Sequence, residues 1–97
     1  MRTTVRPRQV WQTKALALEF APTVRVNCVC PGPVDTPMMD SELGWFGEQA
    51  RDNFISGTPL KRFASPAEIA RFIIFVAAEA TFATGSMLST DGGTTAR

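Results

Sequence analysis

The run Arg25-Val26-Asn27-Cys28-Val29-Cys30 passes directly into Pro31-Gly32-Pro33-Val34-Asp35-Thr36-Pro37, and this junction constrains the fold more than any other stretch. Val24 to Cys30 shows no polar alternation, the pattern of a strand covered on both faces in a parallel sheet. The three prolines and one glycine of Pro31 to Pro37 cannot extend that strand, so the segment reads as irregular. Ligands in open α/β sheets bind just beyond the carboxyl ends of strands. The turn, with its backbone amides and the Thr36 hydroxyl, therefore stands where a site belongs.

The flanking segments read as helices. From Gln9 to Ala21, Trp11, Ala15 and Leu18 recur at i, i+4 and i+7, and Leu16 with Phe20 forms a second stripe. A helix apolar on two sides packs on two things at once, and Pro22 ends it because the residue before proline avoids helical dihedrals. Ser65-Pro66-Ala67-Glu68 is a capping box with proline at the first helical position. It predicts a helix from Pro66 to Glu79, apolar almost all round through Ile69, Phe72, Ile73, Phe75 and Val76. Met87 to Thr90 reads as a short strand closing at Asp91-Gly92-Gly93. Met38 to Gly57 reads equally as a mobile apolar flap or as a helical hairpin filling a groove. The order helix, strand, loop, helix, strand predicts an α/β fold with a right-handed crossover between two parallel strands.

Composition narrows the function classes. Ninety-seven residues suffice for one small domain. A net charge of +1 makes no electrostatic case for nucleic acid or an acidic membrane. The longest apolar run, Phe72 to Ala78, is too short to span a bilayer. Arg2, Arg6 and Arg8 suggest a solvated, frayed end; a nucleic-acid arm would want aromatic platforms, and a secretory signal an apolar body. Cys28 and Cys30 point to one face of the strand. They read as core thiols, with metal or redox work the alternative, since their spacing is shorter than C-x-x-C and the chain has no histidine. Two reduced thiols fit a cytoplasmic location.

Three runs then carry a resemblance: ALALEFAPTVRVNCVCPGPVDTPM, PLKRFASPAEIARFIIFVAAE and ATGSMLSTDGG. In this order and spacing they resemble the C-terminal part of a short-chain dehydrogenase/reductase. The resemblance covers residues 12–95 and implies one partial domain over 1–97, the C-terminal portion of a Rossmann-like doubly wound parallel sheet, with 1–11 divergent. It implies that Pro31 and Gly32 lie against the nicotinamide ring of NAD or NADP, with Gly32 small enough for close approach. On the residues alone, Pro31-Gly32 reads as a simple turn. The resemblance further implies that Val34 meets the carboxamide through its backbone, and that Thr36 places its hydroxyl near the carboxamide and pyrophosphate. Met38, Met39, Trp45 and Phe46 fall in the substrate loop. Asn27 and Asp91 read as ordering the local backbone.

The implied activity is hydride exchange between a nicotinamide cofactor and an alcohol or ketone. The family's Tyr-x-x-x-Lys pair would fall, without gaps, at Arg2 and Arg6, and arginine does not give up its proton. The 97 residues contain no tyrosine, and their first glycine is Gly32, so the family's Gly-rich phosphate turn is not among them. Lys14 reads as a solvated face residue. No catalytic or metal-ligating residue is assigned. The expectation is a truncated or frame-shifted, inactive portion of such an enzyme. The alternative is a non-catalytic fragment docking onto a complete subunit through its two helices, as a homo- or hetero-oligomer. The free edge of the first strand is expected to invite aggregation, and the fold to be marginal.

Overall fold

The computed structural model describes residues 7–37 and 47–96. Helix α1 (Pro7–Phe20) begins two residues before the predicted start, with Pro7 in its first turn. Strand β1 (Cys28–Pro31) follows, then helix α2 (Gly47–Gly57), helix α3 (Pro66–Ala78) and strand β2 (Met87–Thr90). The two strands form one parallel sheet in the register Cys28↔Met87 to Pro31↔Thr90, as the predicted order requires.

The helix after Ser65 forms for the expected local reason. Glu68 N–H donates to Ser65 Oγ at 3.2 Å, and Ser65 N–H donates to Glu68 Oε1 at 2.7 Å. The far end of α3 is closed by a distant residue. The Arg25 guanidinium donates to the carbonyls of Val76, Ala77, Ala80 and Ala83 at 2.7–3.2 Å. A cation over the last carbonyls of a helix also complements its dipole. Asn27 completes this clamp, donating to Ala83 O at 2.9 Å and accepting from Ser86 N–H at 3.1 Å. The expectation that Asn27 orders backbone is met.

Three expectations are corrected. The strand predicted over Val24 to Cys30 starts only at Cys28 and runs through Pro31. Opposite Val24–Asn27 the chain turns instead of running straight, so side chains and two isolated bonds hold that stretch: Gly85 N–H to Val26 O at 2.7 Å and Val26 N–H to Thr84 Oγ1 at 3.2 Å. The segment from Pro31 to Pro37 is not wholly irregular, since Val34 forms a parallel bridge with Ala64 and Pro37 is helical. Nor is β1 covered on both faces: Cys28, Val29 and Cys30 are only half-buried and Pro31 is exposed, because two strands and two flanking helices cannot enclose it. Of the flap-or-hairpin segment, Gly47–Gly57 is a helix with no buried residue. Met38, Met39, Trp45 and Phe46 lie outside the described residues, as do Arg2 and Arg6.

Burial is sparse for so apolar a chain. Ala17, Phe63, Ile69 and Val76 form the buried apolar core, while Trp11 is 73% and Leu18 82% exposed on α1, and Ile74 63% exposed on α3. The Cα radius of gyration is 15.5 Å, against about 13 Å for a compact domain of similar length. Both helices present an apolar face to the core and another to the outside, which is the two-sided pattern their sequences carry.

Candidate nicotinamide-facing wall

The site is built where β1 ends. In a parallel ladder, alternate residues of a strand point both their N–H and C=O to the same side. Cys28 N–H donates to Ser86 O at 2.9 Å and Gly32 N–H to Thr90 O at 3.1 Å, so the even positions of β1 face β2. The backbone groups of Val29 and the carbonyl of Pro31 face the opposite edge, which no strand covers among the described residues.

Beyond Gly32 the chain docks on the segment before α3. Ala64 N–H donates to Pro33 O at 3.0 Å and Asp35 N–H to Ala64 O at 2.8 Å. Ala64 thus spends its own N–H and C=O on the neighbours of Val34, and by the same ladder rule Val34's own N–H and C=O face away from it. Neither has a hydrogen-bond partner among the described residues. An outward donor and acceptor on one extended residue match a primary carboxamide, which offers one acceptor and one donor pair. Two residues on, Thr36 is half-buried on the same strand-end segment.

Gly32 has a structural reason of its own. A Cβ there would lie 2.9 Å from Asp91 Cα and 3.0 Å from its Cβ, so the missing side chain lets the ends of β1 and β2 close together. After β2 the chain folds onto itself. The Asp91 carboxylate accepts from Gly93 N–H at 3.0 Å, Thr95 N–H at 3.2 Å and Thr95 Oγ1 at 2.6 Å. These bonds, the Thr95 hydroxyl foremost, hold its pKa below the ordinary aspartate value. Gly92 (φ 64°) sits under Thr58, whose Cγ2 would be 2.7 Å from a Cβ. The Asp91 turn is therefore geometry, as its sequence suggested.

Three residues that sequence reasoning missed hold the wall in place. Arg51 of α2 reaches Asp35 at 3.4 Å and lies 4.6 Å over the Phe63 ring, and Ala64 supplies the bridge to Val34. No local pattern announces these contacts, which join positions 12 to 30 residues apart. Arg62 and Glu68 pair at 2.6 and 3.1 Å, and this pairing, with the Ser65 N–H bond, lowers the Glu68 pKa to about 2. A cleft of about 120 Å³ opens between Gly32, Thr58, Arg62 and Asp91, but neither Val34 nor Thr36 lines it. The cleft and the outward face of Val34 are different places.

Residues 10–95 match the family model described as enoyl-(acyl carrier protein) reductase. The L-fucose dehydrogenase of Mus musculus is 46% identical over 85 residues, which are 84% of this chain and 31% of that protein. The chain belongs to the short-chain dehydrogenase/reductase family. A short-chain dehydrogenase family protein from Francisella tularensis superposes with a TM-score of 0.81 at 33% identity, over 97% of this chain and 47% of that one. The structure of ElxO with NADP bound superposes at 0.78 and 32% identity, over 92% and 36%. The chain thus spans about a third of the length of the curated short-chain dehydrogenases it matches, and its α/β architecture is that of the corresponding part of the family fold.

Proposed function

We propose that these residues furnish the nicotinamide-facing wall of an oxidoreductase that exchanges hydride between NAD or NADP and an alcohol or ketone. The carrying observation is the outward N–H and C=O of Val34, unpartnered among the described residues, just past the carboxyl end of β1, the position where doubly wound sheets bind ligands. In this reading Val34 orients the carboxamide through both backbone groups, and Thr36 adds its hydroxyl toward the carboxamide and pyrophosphate. Pro31 and Gly32 set the strand end against the ring, with Gly32 also admitting Asp91. The cofactor, when bound, supplies the hydride acceptor or donor. Met38, Met39, Trp45 and Phe46 contribute to the substrate loop.

The proton relay is assigned to residues outside this set, because the 97 residues hold no tyrosine. The chain alone is therefore a non-catalytic portion of the active site. An assay of the purified chain with NADH or NADPH and a panel of ketones and aldehydes should show no turnover above blank; reduction at ordinary enzymatic rates would overturn the reading. The free Cys28 and Cys30 favour a reducing cytoplasmic location. Among the described residues no helix is long and apolar enough to cross a membrane.

A second reading rests on the exposed Trp11 and Leu18 of α1 and Ile74 of α3. Apolar surface of this kind marks an interface, and it favours docking of the chain onto a complete family subunit as an oligomer. Co-expression with such a subunit and affinity capture of either partner tests it. Recovery of a stoichiometric complex supports docking, and a monodisperse monomer beside an unoccupied partner counts against it.

A further inference from the structure

Cys28 and Cys30 form a close pair on β1. Their sulfurs are 3.9 Å apart, and both residues are half-buried and free. Val29, between them, lines a cleft with Ile73 and Val76 of α3, so strand alternation puts both sulfurs together on the opposite face of β1. The question is what two thiols held this way can do.

They are poorly placed to oxidise. A disulfide needs sulfurs at about 2.05 Å and Cα atoms within about 6.8 Å. Residues i and i+2 of a strand have Cα atoms about 6.6 Å apart, at the limit of that range, so closure would have to bend β1 against its β2 ladder. Chelation asks for no such movement. At a thiolate bond length of about 2.3 Å, sulfurs 3.9 Å apart subtend roughly 115° at a shared centre, between a tetrahedral and a trigonal angle. Among the described residues no group of three His, Cys, Asp or Glu is placed to hold a metal ion. A centre that takes four protein ligands is thereby disfavoured among these residues, and a bent one that takes two sulfurs and carries its own third substituent is preferred.

We propose that Cys28 and Cys30 form a two-sulfur chelate for a soft, low-coordinate thiophilic centre, of which a trivalent organoarsenical is the probe. The reaction with phenylarsine oxide is a condensation. Two S–H bonds and the As=O bond are lost, two As–S bonds form, and the oxygen leaves as one water with both thiol protons. Arsenic stays trivalent, and no oxidant is required. The assignment is independent of the nicotinamide reading.

The test titrates the reduced, native chain with phenylarsine oxide and follows intact mass and free thiols. One phenylarsenic per chain with loss of both thiols is expected, resistant to excess monothiol and removed by the vicinal dithiol dimercaprol. Cys28→Ser and Cys30→Ser should each retain the probe about 10²-fold less well, the loss that accompanies conversion of a two-point attachment to one. Circular dichroism of the variants checks that they fold, and the monothiol challenge on the unaltered chain stands without them. An adduct that monothiol strips readily, that forms only in denaturant, or that bridges two chains would overturn the proposal.

Discussion

The two strands of this sheet lie side by side, end at the same level and finish in opposite ways. After β2, Asp91 gathers Gly93 and Thr95 onto its carboxylate and the turn satisfies itself. After β1, Ala64 binds the residues on either side of Val34 and leaves Val34's own N–H and C=O outward. A strand end that consumes its polar groups is a structural stop. One that is braced from behind and leaves a donor and an acceptor outward is what the proposed cofactor wall requires. Gly32 ties the two together, since only a residue without Cβ lets Asp91 approach to 2.9 Å of that position.

The most damaging change to this sheet is removal of the clamp at the start of both strands. Arg25→Ala removes a charged donor from four carbonyls, of which Ala80 O keeps the Ala83 N–H and Ala83 O keeps the Asn27 amide. Hydrogen bonds to a charged group contribute about 1.5–3 kcal/mol each and are not additive, so a loss of about 3 kcal/mol is expected. In a chain this sparsely buried it should appear in urea titration as loss of the cooperative transition. Gly32→Ala comes next. The methyl group must push the Asp91 backbone away, at about 1–3 kcal/mol for overpacking, and amide exchange at position 32 should accelerate as its bond to Thr90 opens.

Asp91→Ala separates the ends more finely. It strips the acceptor from two N–H groups and a hydroxyl and should cost about 1–3 kcal/mol, while leaving the Val34–Ala64 bridge intact in NOE spectra. Asp91→Asn tests the sign of the charge. The native carboxyl has a depressed pKa, so its stabilisation is full above the ordinary aspartate range and is lost as pH falls through the depressed value. The variant's thermal midpoint should vary less with pH over that interval.

The smallest effect concerns the brace before α3. With Glu68 lowered to about 2, its contribution is complete above the ordinary glutamate range and fades as pH falls toward 2. Glu68→Gln can keep the capping box, since glutamine serves at that position. It should retain helix content at neutral pH while losing this acid dependence, as read by far-ultraviolet circular dichroism.

What the sequence made legible follows the range of the interaction. Ser65 and Glu68 are three residues apart and their capping box forms as read. Helix α1 follows its own periodicity and its proline stop. The β-branched run from Val24 overstated β1, because pairing needs a straight partner and the segment opposite Val24–Asn27 turns. The roles of Arg25, whose acceptors lie more than 50 residues away, and of Arg51 and Ala64 have no local signature. The resemblance singled out Val34. Only the bridge to Ala64 shows why its backbone groups face outward.

The most direct test of that outward face is an amide chemical-shift titration of the 15N-labelled chain with NADP and NAD at millimolar concentration. The account predicts saturable shifts at Val34 and Thr36, with Gly93 and Thr95 unmoved. Saturation confined to the Asp91 turn, or no saturable shift at Val34, would contradict it.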